Sequence, residues 1–370
     1  MHLVVVTLAP TLTINNKLSA YAPYVKEMNL WFKYSDKITI VCPTQYSKKL
    51  LKTSFKRQDI EIISIPFLIF NSFFKALTSF FKLPLLFWTI YKQMRKADHI
   101  HLRCPGNIGL IGSIVQICFP KKVKTAKYAG NWDPEAKQPL SYKLQKWLLQ
   151  NTFLTKNMTV LVYGSWPNQS KNIKPFFTAT YTENEKSELP LRDFSSPLKA
   201  LFVGTMGANK RPFEAVQLIH RLRKEGIDIS LEMYGEGPVS QDIKWYRKEN
   251  GIRDYIILKG NQPAEVVKQA YKEAHFMILP SKSEGWPKVV AEAMWWGCIP
   301  IVTPVSCVPW MLDNGQRGLL LDMDIKKDVS SFIHLIQNNK RLETISKRAQ
   351  QWSQEYTLDH FEAEIQKLLQ

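Results

Sequence analysis

Two carboxylates and a lysine share one short segment of the sequence, PSKSEGWPKVVAEAMWWGCIP at residues 280–300. An apolar run precedes it and predicts a buried strand. The helix formers VVAEAM predict a helix that ends at Gly297, the usual residue just past a helix terminus. Glu284 then lies in the loop before the helix. Glu292 lies within the helix, on the same face as Lys288 four residues earlier.

This arrangement of charges suits the binding of a phosphorylated sugar compound. The free N–H groups at a helix N-terminus favour phosphate, and Lys288 adds a full positive charge there. A carboxylate accepts hydrogen bonds only, so Glu284 and Glu292 suit the paired hydroxyls of a sugar or a ribose. Glutamates at this spacing also occur on ordinary surface helices. The adjoining strand, the loop, Pro287 at the expected first helical position and the glycine end favour a binding site instead.

Residues 280–300 resemble the E-x7-E signature of retaining GT-B glycosyltransferases, the large family-four group, whose pattern runs P-S-x-x-E-G-F-G-L-V-x-x-E-A-M-A-x-G-x-P. The matching residues are Pro280, Ser281, Glu284, Gly285, Glu292, Ala293, Met294, Gly297 and Pro300, with Trp286 in the aromatic position. Pro287 replaces the second glycine and removes one backbone donor near the phosphates, a loss that Lys288 is expected to offset. Trp295 and Trp296 replace small residues, and nothing in the sequence explains this pair.

The resemblance implies a role for each residue of the signature. Glu284 would hold hydroxyls of the donor sugar, and Glu292 would hold those of the ribose. Backbone amides around Gly285, together with Lys288, would hold the diphosphate. The remaining positions assigned to the nucleotide sugar are Trp286 and Val289.

A glycine-containing loop follows the predicted strand Leu201–Val203 and ends in two cations at the expected start of a helix. Such a loop forms a phosphate pocket, and it resembles the family's G-R-L-x-x-x-K-G. Lys210 matches the lysine and would bind the diphosphate and stabilise the leaving group. Thr205 stands where arginine is usual, and Arg211, in the glycine position, is expected to supply the missing charge. The alternative is that both cations are only solvated residues at a helix start.

Two further loops follow strands of this half of the chain. Gly235 belongs to Tyr234–Pro238, which resembles the family's G-x-G-P loop near the nucleotide. A glycine there permits close backbone approach, although a plain turn explains the loop equally well. Asn261 belongs to Lys259–Gln262, which the resemblance places along the base pocket.

In the first half, residues 98–105 resemble the family's D-x-V-H-x-H-x-P segment. His101 matches the first histidine and is expected on the acceptor side. Arg103 replaces the second, often catalytic, histidine and would instead stabilise the departing diphosphate. Asn131 and Asp133 follow another predicted strand and are further acceptor-side candidates. Two histidines without a third ligand do not indicate a metal site.

The D-x-D at Asp322–Asp324 looks like the motif that holds Mg²⁺ in another glycosyltransferase class. Its place between a short strand and a helix favours a helix cap instead. The sequence therefore predicts no metal and no cofactor.

Apolar runs alternate with helical patterns along the chain, which is the βαβ rhythm of parallel sheets. The predicted strands are Leu3–Leu8, Ile38–Val41, Ile60–Ile65, His99–Leu102, Val123–Tyr128, Met158–Val162, Leu201–Val203, Ile229–Tyr234, Tyr255–Leu258, Phe276–Leu279, Ile299–Val302 and Gly318–Leu321. The predicted helices of the second half are Pro212–Lys224, Ser240–Glu249, Glu265–Glu273, Asp328–Asn338 and Leu358–Leu369.

The length of 370 residues suits two domains, and the acid-rich stretch Thr182–Pro190 reads as their linker. The predicted class is α/β. With the resemblance, it becomes the GT-B architecture, two Rossmann-like doubly wound parallel-sheet domains facing a cleft. The expected domains are residues 1–182, for the acceptor, and 183–351, for the nucleotide sugar. A terminal helix in residues 352–370 is implied to cross back onto the first domain.

The net charge of +18 lies entirely in the first half of the chain. Residues 1–180 hold 25 Lys and Arg against 7 Asp and Glu, which gives +18, whereas residues 181–370 hold 25 against 25. This asymmetry predicts an anionic partner for the first domain. No zinc spacing, RNP-like run or arginine-rich helix indicates nucleic acid, so an anionic membrane surface is the preferred partner. A basic surface kept only for solubility is the alternative.

Five widely spaced cysteines without a C-x-x-C pair indicate a protein of the reducing cytosol that has no disulfide framework. The N-terminal residues MHLVVVTLAP have no basic region and predict a first strand rather than a signal peptide. The expected location is therefore cytoplasmic, on the inner face of the cell membrane.

Residues 62–90 are strongly apolar and aromatic, although lysines and prolines interrupt them. The longest charge-free run has 13 residues, fewer than the roughly 20 that span a bilayer. A polar stripe on an otherwise Phe- and Leu-rich helix is predicted at Asn71, Lys75, Thr78, Ser79 and Lys82. Such a helix suits the membrane interface, and it equally suits the cover of a parallel sheet.

The resemblance is most specific over about residues 198–322. It implies a retaining glycosyltransferase that uses a UDP-sugar or similar donor and a lipid-linked or polysaccharide acceptor, in bacterial surface polysaccharide or glycolipid synthesis. In this family the acceptor attacks from the donor's own face, and a donor phosphate oxygen takes the proton. One alternative is a GT-B nucleotide-sugar epimerase or hydrolase, which needs no acceptor. The other is a non-enzymatic membrane-associated adaptor, which binds no nucleotide.

Overall fold

The computed structural model describes residues 1–45, 51–68, 72–188, 192–195 and 197–370, without the side chains of residues 73, 75 and 76. The chain forms two compact units, Met1–Phe176 with Phe361–Gln370, and Phe177–His360. The predicted domains change instead at residues 182 and 352. The predicted linker Thr182–Pro190 begins with a short 3-10 helix, Glu183–Glu185, and its residues 189 and 190 lie outside the described residues.

The first unit contains a seven-stranded sheet that is parallel throughout, in the order β10-β9-β8-β7-β1-β4-β6. Its elements are β1 (His2–Val6), β2 (Leu12–Ile14), β3 (Lys17–Tyr21), α1 (Ala22–Phe32), β4 (Lys37–Cys42), β5 (Lys52–Ser54), β6 (Glu61–Ser64), α2 (Phe73–Lys96), β7 (His99–Cys104), α3 (Asn107–Val115), β8 (Val123–Tyr128), α4 (Leu140–Gln150), β9 (Met158–Tyr163) and β10 (Ile173–Phe176). The chain adds strands on one side of β1 and then, from β7 onward, on the other. The order therefore reverses between β1 and β7.

The second unit contains a six-stranded parallel sheet in the order β13-β12-β11-β14-β15-β16. Its elements are β11 (Leu198–Val203), α5 (Pro212–Lys224), β12 (Ile229–Tyr234), α6 (Ser240–Glu249), β13 (Ile256–Gly260), α7 (Ala264–Glu273), β14 (Phe276–Leu279), α8 (Lys288–Trp295), β15 (Ile299–Val302), α9 (Val308–Met311), β16 (Leu319–Leu320), α10 (Ile325–Ile336), α11 (Asn339–Ser353) and the start of α12 (Leu358–Leu369). This order reverses between β11 and β14. Both units thus have the predicted doubly wound architecture.

Each predicted strand overlaps a strand of the structure, because strands buried on both faces read as continuous apolar runs. The second half also forms its predicted helices, and α8 ends as predicted. Gly297 has a φ of +68°, and its N–H donates to the carbonyl of Met294 at 2.9 Å. Helix α11 was not predicted. Asn338, the predicted end of the preceding helix, instead caps α11 by accepting from the N–H of Arg341 at 3.0 Å.

A small antiparallel sheet, β2-β3-β5, was also absent from the prediction. Strands β2 and β3 form a hairpin in which Ile14 pairs with Lys17. The two turn residues, Asn15 and Asn16, have φ values of +49° and +57°, as a type I′ turn requires. The dipeptide Asn-Asn between short strands was the local signal for this hairpin.

The last helix joins the first unit from Phe361 onward. Phe361 packs on Phe176 with 5.3 Å between ring centroids. Glu364 accepts from Lys174 Nζ at 2.6 Å, and Glu362 accepts from Lys33 Nζ at 2.7 Å. The end of α12 is therefore held in the first unit by aromatic packing and ion pairs.

Candidate active site

The carboxyl ends of the strands in the second unit form one rim of linked loops. The sheet order reverses between β11 and β14, and ligands of such sheets bind at the carboxyl edge beside the reversal. The N–H of Gly204 donates to the carbonyl of Tyr234 at 2.9 Å, and the N–H of Gly235 donates to that of Gly260 at 2.8 Å. These bonds fix the loops after β11, β12 and β13 side by side.

Gly235 is required where two of these loops touch. Its φ is +130°, in the region that favours glycine. A Cβ at this position would lie 2.0 Å from the carbonyl oxygen of Gly204, which is impossible without moving a loop. Thr205 and Asn261, on the neighbouring loops, are exposed at the same rim.

Lys210 and Glu284 meet at the reversal point. Lys210 Nζ donates to Glu284 Oε1 at 2.6 Å, and the Glu284 side chain is only 8% exposed. The N–H of Lys282 donates to the carbonyl of Asn209 at 2.8 Å, and Asn209 Nδ2 donates to the carbonyl of Ser283 at 2.9 Å. Two residues predicted from separate motifs therefore form one ion pair. A cation beside a carboxylate is suited to hold a phosphate and a hydroxyl next to each other.

Arg211 is the N-cap of helix α5 and has a backbone conformation that arginine rarely adopts. Its φ and ψ are 49° and 51°, a left-handed conformation that costs a non-glycine residue about 1–2 kcal/mol. The family pattern has a glycine here, which adopts the conformation freely. The guanidinium lies beside Glu214, with 3.9 Å between Arg211 Nε and Glu214 Oε1. The chain thus keeps a second cation after Lys210 in spite of the strain.

Glu292 faces two residues that sequence reasoning missed. Thr180 Oγ1 donates to Glu292 Oε1 at 2.8 Å, and the hydroxyl of Tyr271 donates to Oε2 at 3.4 Å. Burial, together with the charge of Glu292, raises the pKa of Tyr271 well above its usual range, so its hydroxyl stays a donor. Both residues are distant in sequence, and no local pattern pointed to them.

Helix α8 begins at Lys288. Pro287 was predicted to be its first residue, but it is the N-cap instead. Lys288 and Glu292 line one small cleft together with Trp286. Val289 is partly buried. The signature residues of the helix are therefore grouped at its first turns, as the spacing predicted.

The loop before α8 is anchored from two sides. The carbonyl of Gly285 accepts from Ser306 Oγ at 3.2 Å and from Cys307 Sγ at 3.1 Å. The ring of Trp286 is buried and lies parallel to that of Trp352, with 6.1 Å between centroids. Trp286 is thus part of an aromatic core under the loop, and its predicted contact with the nucleotide sugar stays a prediction.

Trp295 and Trp296, which the sequence left unexplained, pack around Tyr181. Their ring centroids lie 5.2 and 5.4 Å from that of Tyr181. Trp296 also contacts Lys272, whose Nζ lies 4.4 Å from the Trp296 ring centroid. The two tryptophans hold α8 against the segment that carries Thr180, the hydrogen-bond partner of Glu292.

Residues 184–352 match the family model described as Glycosyl transferases group 1. They all lie within the second unit. The second unit is a group 1 glycosyltransferase domain.

Relatives of known name extend this match. CapJ of Staphylococcus aureus is 23% identical over 281 residues, 70% of this chain and 71% of CapJ. An alpha-1,4-N-acetyl-D-galactosaminyltransferase of Campylobacter jejuni, named for a PP-undecaprenol-linked GalNAc acceptor, is 25% identical over 173 residues, 46% of this chain and 47% of that protein. For most of the curated relatives that it matches, the aligned part covers less than half of the relative's length.

The crystal structure of Anabaena HepE in complex with UDP has the same fold. The alignment covers 100% of this chain and 98% of the HepE chain, with a TM-score of 0.69 and 12% sequence identity. The chain therefore has the GT-B fold, as the sequence resemblance predicted.

Outside the group 1 glycosyltransferase domain, Arg103 lies at the end of β7, beside the reversal point of the first sheet. Its guanidinium is paired with the carboxylate of Glu27, and Lys127 Nζ lies 3.3 Å from the same carboxylate. All three side chains are nearly buried. Burial raises the pKa of Glu27, but the charges of Arg103 and Lys127 outweigh it and hold the pKa at about 2. Arg103 is therefore neutralised within its own unit, which does not favour its predicted role at the diphosphate.

His101 lies in the interior of the first unit rather than at a rim. Its Nδ1 is 2.8 Å from Thr125 Oγ1, and its ring lies 4.1 Å from that of Trp31. Burial, followed by the charge of Arg103, lowers its pKa well below the usual value. His99 shares the same threonine, at 2.9 Å. The predicted acceptor role of His101 is not favoured by this burial.

Asn131 and Asp133 lie in the loop after β8, at the carboxyl edge of the first sheet. Asn131 Oδ1 accepts from the N–H of Asp133 at 2.9 Å, and Asp133 Oδ1 accepts from that of Glu135 at 2.9 Å. Lys146 Nζ donates to the carbonyl of Asp133 at 3.0 Å. Both predicted acceptor residues thus shape one loop at the expected edge.

The Asp322–Asp324 motif serves as the predicted cap. Asp324 accepts from the backbone N–H groups of Lys326 and Lys327 at 3.0 and 3.2 Å and begins α10. Within the described part of the chain, no three His, Cys, Asp or Glu side chains group as metal ligands.

The buried pair of Glu27 and Arg103 generates a prediction about stability. Glu27→Gln should lower the free energy of unfolding by about 3–5 kcal/mol near neutral pH, the cost of breaking a buried pair. The pKa of Glu27 is lower in the folded protein than its usual 4.5. Its stabilising effect is therefore complete above that value and is lost as the pH falls toward about 2. In urea unfolding at pH 7, 4 and 3, the difference in the free energy of unfolding between wild type and variant should become smaller as the pH falls.

Glu265→Gln is the matched control, because Glu265 is exposed and lies 3.9 Å from Lys268. Exposed pairs contribute about 0–1 kcal/mol. Equal losses in both variants, or a Glu27→Gln effect that is independent of pH, would contradict the assignment.

Proposed function

We propose that this protein is a retaining glycosyltransferase that moves a sugar from a nucleoside-diphosphate sugar to a glycan or lipid-linked glycan acceptor. The observation that carries the proposal is the ion pair of Lys210 and Glu284 at the reversal point of the second sheet. The name of the Campylobacter relative, with its PP-undecaprenol-linked acceptor, supports a lipid-linked glycan as the acceptor, and the UDP bound in the structure of Anabaena HepE supports a UDP-sugar as the donor.

In this proposal the second unit holds the donor along its rim. Lys210 and Arg211 bind the diphosphate and stabilise the charge that develops as it leaves. Lys288 adds its charge at the start of α8, where free N–H groups also favour phosphate. Glu284 accepts hydrogen bonds from hydroxyls of the sugar, and Glu292 accepts them from the ribose. Thr180 and Tyr271 position Glu292.

The chemistry needs no protein base under this proposal. The acceptor hydroxyl attacks the anomeric carbon on the face that the diphosphate leaves, so the configuration is retained. A donor phosphate oxygen takes the proton of the acceptor, and the diphosphate departs with the charge that Lys210 and Arg211 offset. Glu284 is paired with Lys210, which suits a binding role better than proton transfer.

The basic first unit supports a place on the inner face of the cell membrane. Residues 1–180 carry the whole net charge of +18, and anionic headgroups attract such a surface. Among the described residues, no helix is both long and apolar enough to cross a bilayer.

Two other functions make different predictions. An epimerase or hydrolase of the same fold turns over the nucleotide sugar without an acceptor, whereas a transferase needs one. A non-enzymatic adaptor binds no nucleotide. A thermal-shift screen against uridine and guanosine diphosphate sugars separates the adaptor from both enzymes.

The first prediction of the proposed function concerns Glu284. Glu284→Gln should abolish sugar transfer while the protein still folds, because glutamine keeps the shape and one acceptor oxygen but loses the charge. Radiolabelled donor and membrane acceptor would measure transfer. Wild-type rates in a folded variant would remove Glu284 from the proposed site.

The second prediction concerns the diphosphate. Lys210→Ala should weaken binding of a nucleoside diphosphate by about 1–3 kcal/mol, the size of a lost charged hydrogen bond. Calorimetry measures the dissociation constant. Since Lys210→Ala also leaves Glu284 unpaired, the same substitution is made in the Glu284→Gln background. If Lys210 contacts the diphosphate, the loss persists there; if it only neutralises Glu284, the loss disappears.

The third prediction is that transfer does not depend on a metal ion. It rests on the capping role of Asp324. Activity should be unchanged after treatment with EDTA. Loss of activity that Mg²⁺ or Mn²⁺ restores would contradict it.

A further inference from the structure

Helix α2 carries large apolar side chains on its outer side. Phe74, Leu77, Phe81, Leu85 and Trp88 are all exposed, and Phe81 is 73% exposed. Their spacing of three or four residues places them along one stripe of the helix. Of the predicted polar stripe, Ser79 is buried, and Thr78 and Lys82 are exposed. Asn71 and the Lys75 side chain lie outside the described residues.

Helix α4 repeats this arrangement. Leu140, Leu144 and Trp147 are exposed at helical spacing, and Phe153 follows in the next turn. Trp147 is 55% exposed and Phe153 is 76% exposed. The opposite side of α4 packs inward through Leu148 and Leu149. A soluble protein exposes single apolar residues routinely, but two stripes of large apolar residues are unusual.

The two stripes belong to one surface. Helices α2, α3 and α4 pack their inner sides into one core on the same sheet, through Leu86, Ile108 and Leu149 among others. Trp88 stacks on Tyr91 with 5.5 Å between centroids, and Tyr91 lies 5.0 Å from the buried Phe119, just beyond α3.

The turn that carries Phe153 is joined to the same end of α3. Gln116 Nε2 donates to the carbonyl of Leu154 at 3.4 Å and to Thr155 Oγ1 at 3.1 Å. We call this three-helix surface, with the Phe153 turn, the apolar face.

Cations accompany the apolar face. Residues 73–156 contain 14 Lys and Arg against 3 Asp and Glu, a net charge of +11. Lys92 Nζ lies 5.3 Å from the Trp88 ring centroid, and Lys156 Nζ lies 5.2 Å from that of Phe153. Aromatic rings with lysines beside them match the boundary between lipid headgroups and acyl chains.

We propose that the apolar face docks on an anionic lipid bilayer, with its aromatic side chains in the headgroup region. A second copy of this chain is a poor occupant, because the exposed lysines beside the rings of two such faces would repel each other. Anionic headgroups neutralise the lysines while the apolar side chains leave water, so a bilayer satisfies both features.

The orientation of the helices adds a consequence for the acceptor. In parallel βαβ units the helices run opposite to the strands, so their N-termini lie at the carboxyl edge of the sheet. Phe74 and Leu140, near the starts of α2 and α4, therefore lie toward the edge at which such sheets bind ligands. Resting on the proposed function, this places the acceptor edge of the first unit beside the bilayer and favours a lipid-linked acceptor.

Sedimentation with vesicles tests the docking surface. Wild type should bind phosphatidylglycerol-rich vesicles better than phosphatidylcholine vesicles, and near 1 M salt, where the screening length is about 3 Å, a weaker apolar part should remain. Phe81→Ser with Leu85→Ser, and separately Trp147→Ser with Phe153→Ser, should each weaken binding about tenfold or more. Trp245→Ser is the matched control. Trp245 is 65% exposed on α6 in the other unit, and its loss should leave binding unchanged.

Thermal shift with UDP distinguishes a docking defect from misfolding, because nucleotide binding should survive in both double variants. Equal weakening by Trp245→Ser, unchanged binding in the double variants, or equal wild-type binding to both kinds of vesicle would overturn the docking surface. A wild-type dimer that the double variants dissociate in sedimentation velocity, without vesicle binding, would assign the face to a second copy. Vesicle binding without any nucleotide binding would overturn the proposed function and leave the docking surface in place.

Discussion

An ion pair between Lys210 and Glu284 joins the two loops on which the proposed donor site depends. Glu284 is almost buried, and a buried carboxylate without a partner would cost several kcal/mol. The loops must therefore hold the two side chains together, which they do through one backbone hydrogen bond to Asn209 and one hydrogen bond from its side chain. The parallel sheet makes this possible, because the carboxyl ends of β11 and β14 emerge at the same edge. The strain at Arg211 is the local cost of a further cation there.

The first unit uses charge at the corresponding place in a different way. Arg103 lies beside the reversal between β1 and β7, but Glu27 on α1 neutralises it, and Lys127 lies close to the same carboxylate. His101, on the same strand as Arg103, is fully buried. Both sheets thus hold charged groups beside the point where the strand order reverses. In the first unit these charges are buried and pair with one another, whereas in the second unit they lie on the rim of loops. The winding of a sheet defines where a site can form, and the side chains decide whether one does.

The outer surface of the first unit places apolar side chains where water would normally be. Helices α2 and α4 bury one side in the core and present another set of aromatic side chains outward. A helix that is apolar on both sides needs a second apolar environment. The lysines among the rings favour an environment with negative charge. The +18 of the first half and its exposed rings are therefore two parts of one physical requirement.

The sequence by itself determined the alternation of strands and helices, the loop and helix around Glu284 and Glu292 and the cap at Asp324, and its resemblance to a known family implied the winding of both sheets. These features depend on residues close together in the chain, whose periodicity and turn chemistry leave a local pattern. Only the tertiary structure decided which partners the site residues have. Thr180 and Tyr271 reach Glu292 from distant segments, Glu27 neutralises Arg103, and Tyr181 accounts for Trp295 and Trp296. A side chain's partner, and the side of a helix that stays in water, follow from packing between segments, which no local pattern records.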